Sequence, residues 1–272
     1  MSARPEPTEA PFRTDFDRDG IAIVRGCLGG EWLDRLAGAA ERIKDRVLAG
    51  DSSCGVATPD GTVYTENAWT FEDTVRQFVF ESGIASIAAQ AMQSREVRLF
   101  ETLTIYKQVG CDAGTGWHQD LPQHGMVGDQ ACSIWLSLEP VDADSGGLRI
   151  AAGSHRGPWY TPMTLNPRRA HGKVELEGGP LPDPDTDPVR FPRIVGYAAQ
   201  PGDILLLHPA VLHMTRPNPL RARRRSFSIR FFGERMRRKA SPVEWHDWLQ
   251  DLPLQDGDPM VADRLPRVWP AA

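Results

Sequence analysis

The 272-residue chain lacks most of the features that would place it in a specialised class by composition alone. It carries only four cysteines, Cys27, Cys54, Cys111 and Cys132, with no close pair among them. Such scattering excludes the short, cysteine-dense scaffolds of secreted proteins and predicts free thiols in a reducing compartment. No apolar run approaches the roughly 20 residues of a transmembrane helix, and residues 1–12 have no apolar stretch of the secretory kind. The C-terminus carries no lipidation box, so the cytoplasm is the expected location. Positive charge is not in excess: 31 Lys and Arg against 36 Asp and Glu leave a net charge of −5. That balance argues against nucleic acid or an anionic membrane as partner and leaves a small molecule as the expected one. No internal repeat is visible, and nothing indicates the oligomeric state.

What is present suffices for a large core. Hydrophobic residues make up 40% of the chain, so neither disulfides nor a structural metal are needed for stability. Residues 1–11 read as a disordered leader and 12–272 as a single domain. Its first third is helical. Trp32, Leu33, Leu36, Ala39, Ile43, Val47 and Leu48 recur at helical spacing, and a second helix is expected over Val75 to Met92. Before them, Gly20 to Arg25 reads as a short strand. From Val97 onward the pattern turns to short β-rich segments at Val97–Gln108, Ala131–Leu138, Leu148–Ala152, Asp203–Leu207 and Ser226–Phe232. Turns such as Asp144-Ser145-Gly146-Gly147 and Pro201-Gly202-Asp203 punctuate them. The fold expected is mainly β, a sandwich or barrel with flanking helices. The stretch 156–200, rich in proline, reads as a lid or inserted loop. The basic run Arg221–Arg225 with Arg235–Lys239 reads as a solvated face.

Two histidines and one aspartate stand out. His118-Gln119-Asp120 follows a Gly-rich turn. On an extended backbone, residues i and i+2 share a face, which would let His118 and Asp120 meet one ion. His213, downstream of the strand at Asp203–Leu207, can supply a third ligand from a neighbouring strand. Two imidazoles and a carboxylate on one side of an ion leave positions open, the facial arrangement of non-haem iron(II) oxygenases. A lone His-x-Asp is weak by itself. His208 competes with His213 for the distal position, and His155 reads as structural. His124, His171 and His246 read as exposed, although His124 and Gln119 lie near enough to Asp120 to be candidate substrate contacts.

The segment from Gly202 to Ser226 gives the tripeptide its context. With His213, Asn218, Arg224 and the Gly147-Leu148 and Gly153-Ser154-His155 stretches, the chain resembles the phytanoyl-CoA dioxygenase family of iron(II)- and 2-oxoglutarate-dependent oxygenases. The resemblance implies a double-stranded β-helix (jelly-roll, cupin-like) core, with iron held by His118, Asp120 and His213. It also implies Fe(II), 2-oxoglutarate and O2 as cofactor and co-substrates. Arg224 would anchor the distal carboxylate of 2-oxoglutarate through two parallel donors, with Ser226 beside it, and Arg223 and Arg225 would point to the other face. Thr215, Trp135 and Leu103 would complete the co-substrate pocket. A carboxylate at position 120 implies hydroxylation-type chemistry rather than halogenation, because halogenating relatives leave that position to chloride. The implied reaction oxidises an unactivated C–H of a small molecule, in keeping with a specialised metabolite, and releases succinate and CO2. A cupin-like metal enzyme of another class, an isomerase or a co-substrate-independent dioxygenase, remains open, as does a non-catalytic binding domain.

Overall fold

The amphipathic stripe in the first third folds as expected, and it folds to cover a sheet. In the computed structural model, residues 10–270 are described except 112, 143, 164–173 and 218–221. Asn218, Arg221, His171 and most of the expected leader therefore lie outside the described residues. The first third contains α1 (Arg13–Asp19), β1 (Ile21–Val24), α2 (Gly30–Leu48), β2 (Val56–Ala57), β3 (Thr62–Glu66), α3 (Asp73–Glu81) and α4 (Ile84–Met92). Leu36, Ala39, Ile43 and Val47 bury one face of α2, whereas Leu48, at the end of the stripe, is 49% exposed. The single helix expected over Val75–Met92 is two helices. Gly83 adopts φ +85°, a left-handed conformation that a continuous helix cannot pass through, and α4 restarts behind it.

The remaining strands are β4 (Val97–Lys107), β5 (Thr115–His118), β6 (Met126–Val127), β7 (Ala131–Ser137), β8 (Leu148–Ala151) and β9 (Ile194–Gly196). They continue with β10 (Ile204–Leu207), β11 (His213–Thr215), β12 (Arg224–Gly233), β13 (Arg237–Arg238) and β14 (Arg267–Trp269). The major sheet runs β1-β10-β7-β12-β4-β3-β2, with β14 also paired to β4. The minor sheet runs β5-β11-β8-β9, and β13 and β6 form a two-stranded sheet. These ladders are antiparallel, and the two larger sheets face each other as a mainly β jelly roll with helices on one side.

Strand alternation divides the core in two. One face of the major sheet turns Ala22, Leu99, Cys132, Ile134, Leu136, Ile204, Leu206, Phe227 and Ile229 to the helices, where they pack with Leu36, Phe78 and Ala88. The other face turns Ile21, Trp135, Leu205 and Leu207 toward Leu148, Ile150 and Val211 in the space between the sheets. That inner space also receives polar side chains from β4, β12, β5 and β11, and there the site forms. The four cysteines are free, as expected. Among the described residues no helix is long and apolar enough to cross a membrane. Part of the 156–200 stretch seals the minor sheet: Asp185 accepts bonds from Arg149 at 2.7 and 2.8 Å and from Trp117 Nε1 at 3.2 Å.

Candidate active site

His118 and His213 are direct partners across the β5–β11 ladder, with ring centroids 4.0 Å apart. Each ring is oriented by its own strand. His118 Nδ1 lies 2.9 Å from Gly116 O and His213 Nδ1 lies 3.0 Å from Val211 O. A carbonyl can only accept, so both Nδ1 atoms carry the proton and both Nε2 atoms are free donors to an ion. Asp120 completes the group. Its Oδ1 is 3.6 Å from His118 Nε2 and its Oδ2 is 4.0 Å from His213 Nε2. One ligand atom from each of the three falls within 4.8 Å of the others, which fits a small divalent ion. Two imidazoles plus a carboxylate are an iron-type donor set.

Asp120 reaches this position differently from the extended-strand expectation. β5 ends at His118, and Asp120 has helical backbone angles (φ −83°, ψ −44°). The amides of Asp120 and Leu121 both donate to Pro209 O, at 2.8 and 2.9 Å. The turn, not strand alternation, brings the carboxylate to the imidazoles. Burial alone would raise the Asp120 carboxyl, but the charges of Arg230, His213 and His118 hold it well below the usual carboxylate range. Burial, with the neighbouring His118, pushes His213 down to about 4, so that ring is neutral at neutral pH.

Arg224 lies between the sheets, buried, at the start of β12. Nη1 donates to Gly146 O, while Nε is buried without a partner. Directly across the ladder stands Lys107, equally buried, whose Nζ donates to Ala113 O. Burial and the Arg224 charge push Lys107 down to about 8. Two buried cations with an orphaned donor between the sheets make a site for an anion, and the distal carboxylate of a dicarboxylate fits it. Strand parity holds: Ser226 shares the Arg224 face, whereas Arg225 turns outward to Glu139 at 2.8 Å and Glu41 at 3.3 Å. Thr215 Oγ1 accepts from the Thr115 amide at 3.1 Å and ties β11 to β5. Trp135 packs in the intersheet cluster and Leu103 is half-buried on β4, both paired with Ser228.

Other expectations are corrected. Gln119 is no free contact: its amide donates to Ala210 O at 2.7 Å and accepts from Tyr160 N at 2.9 Å. His124 and His246 are buried, not exposed. His124 packs against Phe100 in a tilted pair with ring centroids 4.6 Å apart, and burial pushes it down to about 3. His208 lies away from the group, its ring tilted against those of Phe16 and His155. The basic run is a solvated face only in part: Arg223, Arg235 and Lys239 are exposed, whereas Arg225 and Arg238 are buried on carboxylate partners.

Two polar residues that sequence reasoning passed over, Arg230 and Glu101, matter most. Arg230 on β12 donates from Nε and Nη2 to Asp120 Oδ2, at 3.2 and 3.0 Å, and from Nη1 to Glu101 Oε1. Glu101 is its register partner on β4, and His246 Nε2 lies 2.8 Å from Glu101 Oε2. The available signal was a lone Glu and a lone Arg at inward positions of two apolar strands, because charges are buried only when paired. Glu66, Glu101 and His246 also cluster closely enough to hold a cation. Arg230 and His246 already balance Glu101, so the ion pairs account for that cluster. His246, Phe100, Glu66, Trp69, Trp245 and Trp248 line a cavity of about 970 Å³ beside the β2–β3 hairpin.

Comparison with known proteins shows the family and the fold. The family described as phytanoyl-CoA dioxygenase matches residues 16–226. An ectoine dioxygenase of Nocardia farcinica (strain IFM 10152) is 24% identical over 213 residues, covering 75% of this chain and 70% of its own length. A 1-deoxypentalenic acid 11-beta-hydroxylase of Streptomyces arenae is 26% identical over 218 residues, covering 75% and 72%. Among solved structures, the non-heme alpha ketoglutarate dependent epimerase SnoN from nogalamycin biosynthesis superposes with a TM-score of 0.70 at 22% identity. The match covers 94% of each chain.

Proposed function

Since this chain belongs to the phytanoyl-CoA dioxygenase family, we propose that it is an iron(II)- and 2-oxoglutarate-dependent oxygenase that hydroxylates an unactivated C–H of a small molecule. The observation that carries this reading is the conjunction of two sites in one intersheet space. One is His118, Asp120 and His213 with both Nε2 atoms free; the other is the Arg224–Lys107 pair with its orphaned Nε. In this reading the three side chains hold the iron, and Arg224, with Ser226 beside it, receives the distal carboxylate of 2-oxoglutarate. Lys107 adds a second positive charge there. Thr215, Trp135 and Leu103 bound the co-substrate pocket.

Bound iron would couple oxidative decarboxylation of 2-oxoglutarate, with O2, to oxidation of the substrate, releasing succinate and CO2. The chain's own residues bind, orient and exclude. The strand carbonyls at Gly116 and Val211 fix both imidazoles in the tautomer that presents Nε2. Trp135 and its apolar neighbours keep water from the space beside them. The aromatic cavity of about 970 Å³ is large enough for a multi-ring specialised metabolite and is our candidate substrate chamber. Its wall residues Phe100 and His246 stand next to the Glu101–Arg230 pair that leads to Asp120.

The ligand assignment is tested by equilibrium binding of Fe(II) under nitrogen. The wild-type chain is expected to bind one ion tightly, and His118→Ala or His213→Ala to weaken binding by at least about tenfold. Unchanged stoichiometric binding in both variants would remove the assignment. Undisturbed metal spectra on adding 2-oxoglutarate would favour a cupin-like enzyme of another class.

A further inference from the structure

The Asp120 carboxylate is not free on both sides. Oδ2 accepts two N–H bonds from one guanidinium, Arg230 Nε at 3.2 Å and Nη2 at 3.0 Å. A carboxylate oxygen offers about two lone-pair directions in its plane, so these two bonds occupy Oδ2. Oδ1 remains, 3.6 Å from His118 Nε2. Arg230 cannot easily swing away, because Nη1 is bonded to Glu101 Oε1 and the ladder places Arg230 opposite Glu101. Glu101 is itself fixed by His246 on the far side, at 2.8 Å. Asp120, Glu101 and His246 are buried and the Arg230 side chain is only 15% exposed, so the chain of charges lies inside the fold rather than in a surface network.

We propose that Arg230 is a positioning residue that makes Asp120 a ligand through Oδ1 alone, and that Glu101 holds Arg230 in place for this purpose. The proposal rests on the metal reading above. Its consequence follows from counting positions around an octahedral ion. Two imidazoles and one carboxylate oxygen leave three positions, two for a chelating 2-oxoglutarate and one for O2. A carboxylate bound through both oxygens would leave only two, and the co-substrate alone would fill them. Arg230 therefore keeps the position for O2 open, although it touches neither co-substrate.

A purely structural role, burying Asp120 with a counter-charge, predicts something different: without Arg230 the whole site should weaken, metal and co-substrate included. Two variants separate these outcomes. Arg230→Lys keeps the charge but loses the two-pronged grip, and Glu101→Gln/Arg230→Met removes the buried pair with its charges balanced. Fe(II) and 2-oxoglutarate are added to each full-length protein under nitrogen, and the visible charge-transfer band of the complex is recorded. Air is then admitted and the decay of the band and the succinate formed are followed.

The expected result is a band that forms in both variants as in the wild type, with decay and succinate formation slowed about 10–100-fold in the double variant. Arg230→Lys should fall between the two. Parallel loss of the band and of succinate in Arg230→Lys would overturn the proposal in favour of general support of the site, and so would wild-type decay in both variants. If the double variant does not fold, Arg230→Lys alone decides. A wild-type protein that forms no band would overturn the metal reading itself, and this proposal with it.

Discussion

Lys107 shows how one residue's environment makes a prediction. It is buried against Arg224, and that desolvation and charge bring it from 10.5 to about 8. Below pH 8 the ammonium is charged and attracts a carboxylate; above pH 8 it is neutral and the attraction from this residue is lost. Affinity for 2-oxoglutarate, measured by calorimetry with Mn(II) in place of iron, should therefore fall as pH rises through about 8. Lys107→Met should flatten that dependence. The sign for stability without ligand is opposite. Between about 8 and 10.5 the unfolded chain holds a proton on this lysine that the folded chain does not, so stability rises with pH across that window. A co-substrate affinity that rises through pH 8 would contradict this placement of Lys107.

At the scale of elements, the site depends on how closely β5 approaches β11. A methyl added at Gly114 would lie 2.5 Å from Thr215 O and 2.9 Å from Pro217 N, both backbone atoms that cannot yield alone. Gly114→Ala should cost about 1–3 kcal/mol in denaturant unfolding and weaken Fe(II) binding by shifting His118 against His213. Gly116→Ala, whose methyl meets open space, should leave stability unchanged. The helical layer behaves as core support: Leu36, 0% exposed against the outer face of the major sheet, should lose about 2–5 kcal/mol when cut to alanine. Metal affinity should survive in the folded fraction, because α2 lies on the face of the sheet turned away from the imidazoles.

The same scale explains what was legible in the sequence. The periodicity of α2 was readable because it is set by burial of one face, and β4 and β12 were readable from their β-forming residues, although both strands are buried on both faces. So was the parity that separates Arg224 from Arg225. The helix break at Gly83 and the turn at Asp120 were not readable, because each depends on a backbone angle or on a partner carbonyl, Pro209 O, 89 residues away in sequence. Lys107, Glu101 and Arg230 were hidden for a related reason. Their meaning comes from ladder register, which pairs Lys107 with Arg224 and Glu101 with Arg230 only once β4 and β12 are aligned. Charged residues at inward strand positions are the trace such pairs leave in a sequence.

For the whole molecule, two antiparallel sheets enclose a space into which His118, Asp120 and His213 converge from β5, the turn after it and β11. An aromatic cavity lies beside the β2–β3 hairpin, at the His246 end of the Asp120–Arg230–Glu101–His246 chain. The most direct test of the whole account is succinate formation by the full-length chain. Under air, with Fe(II) and 2-oxoglutarate, the wild type should produce succinate, more so when a small molecule that fills the aromatic cavity is included, and His213→Ala should produce none above background. Succinate formation that persists undiminished in His213→Ala, or its absence from a folded wild-type protein that binds both Fe(II) and 2-oxoglutarate, would contradict it.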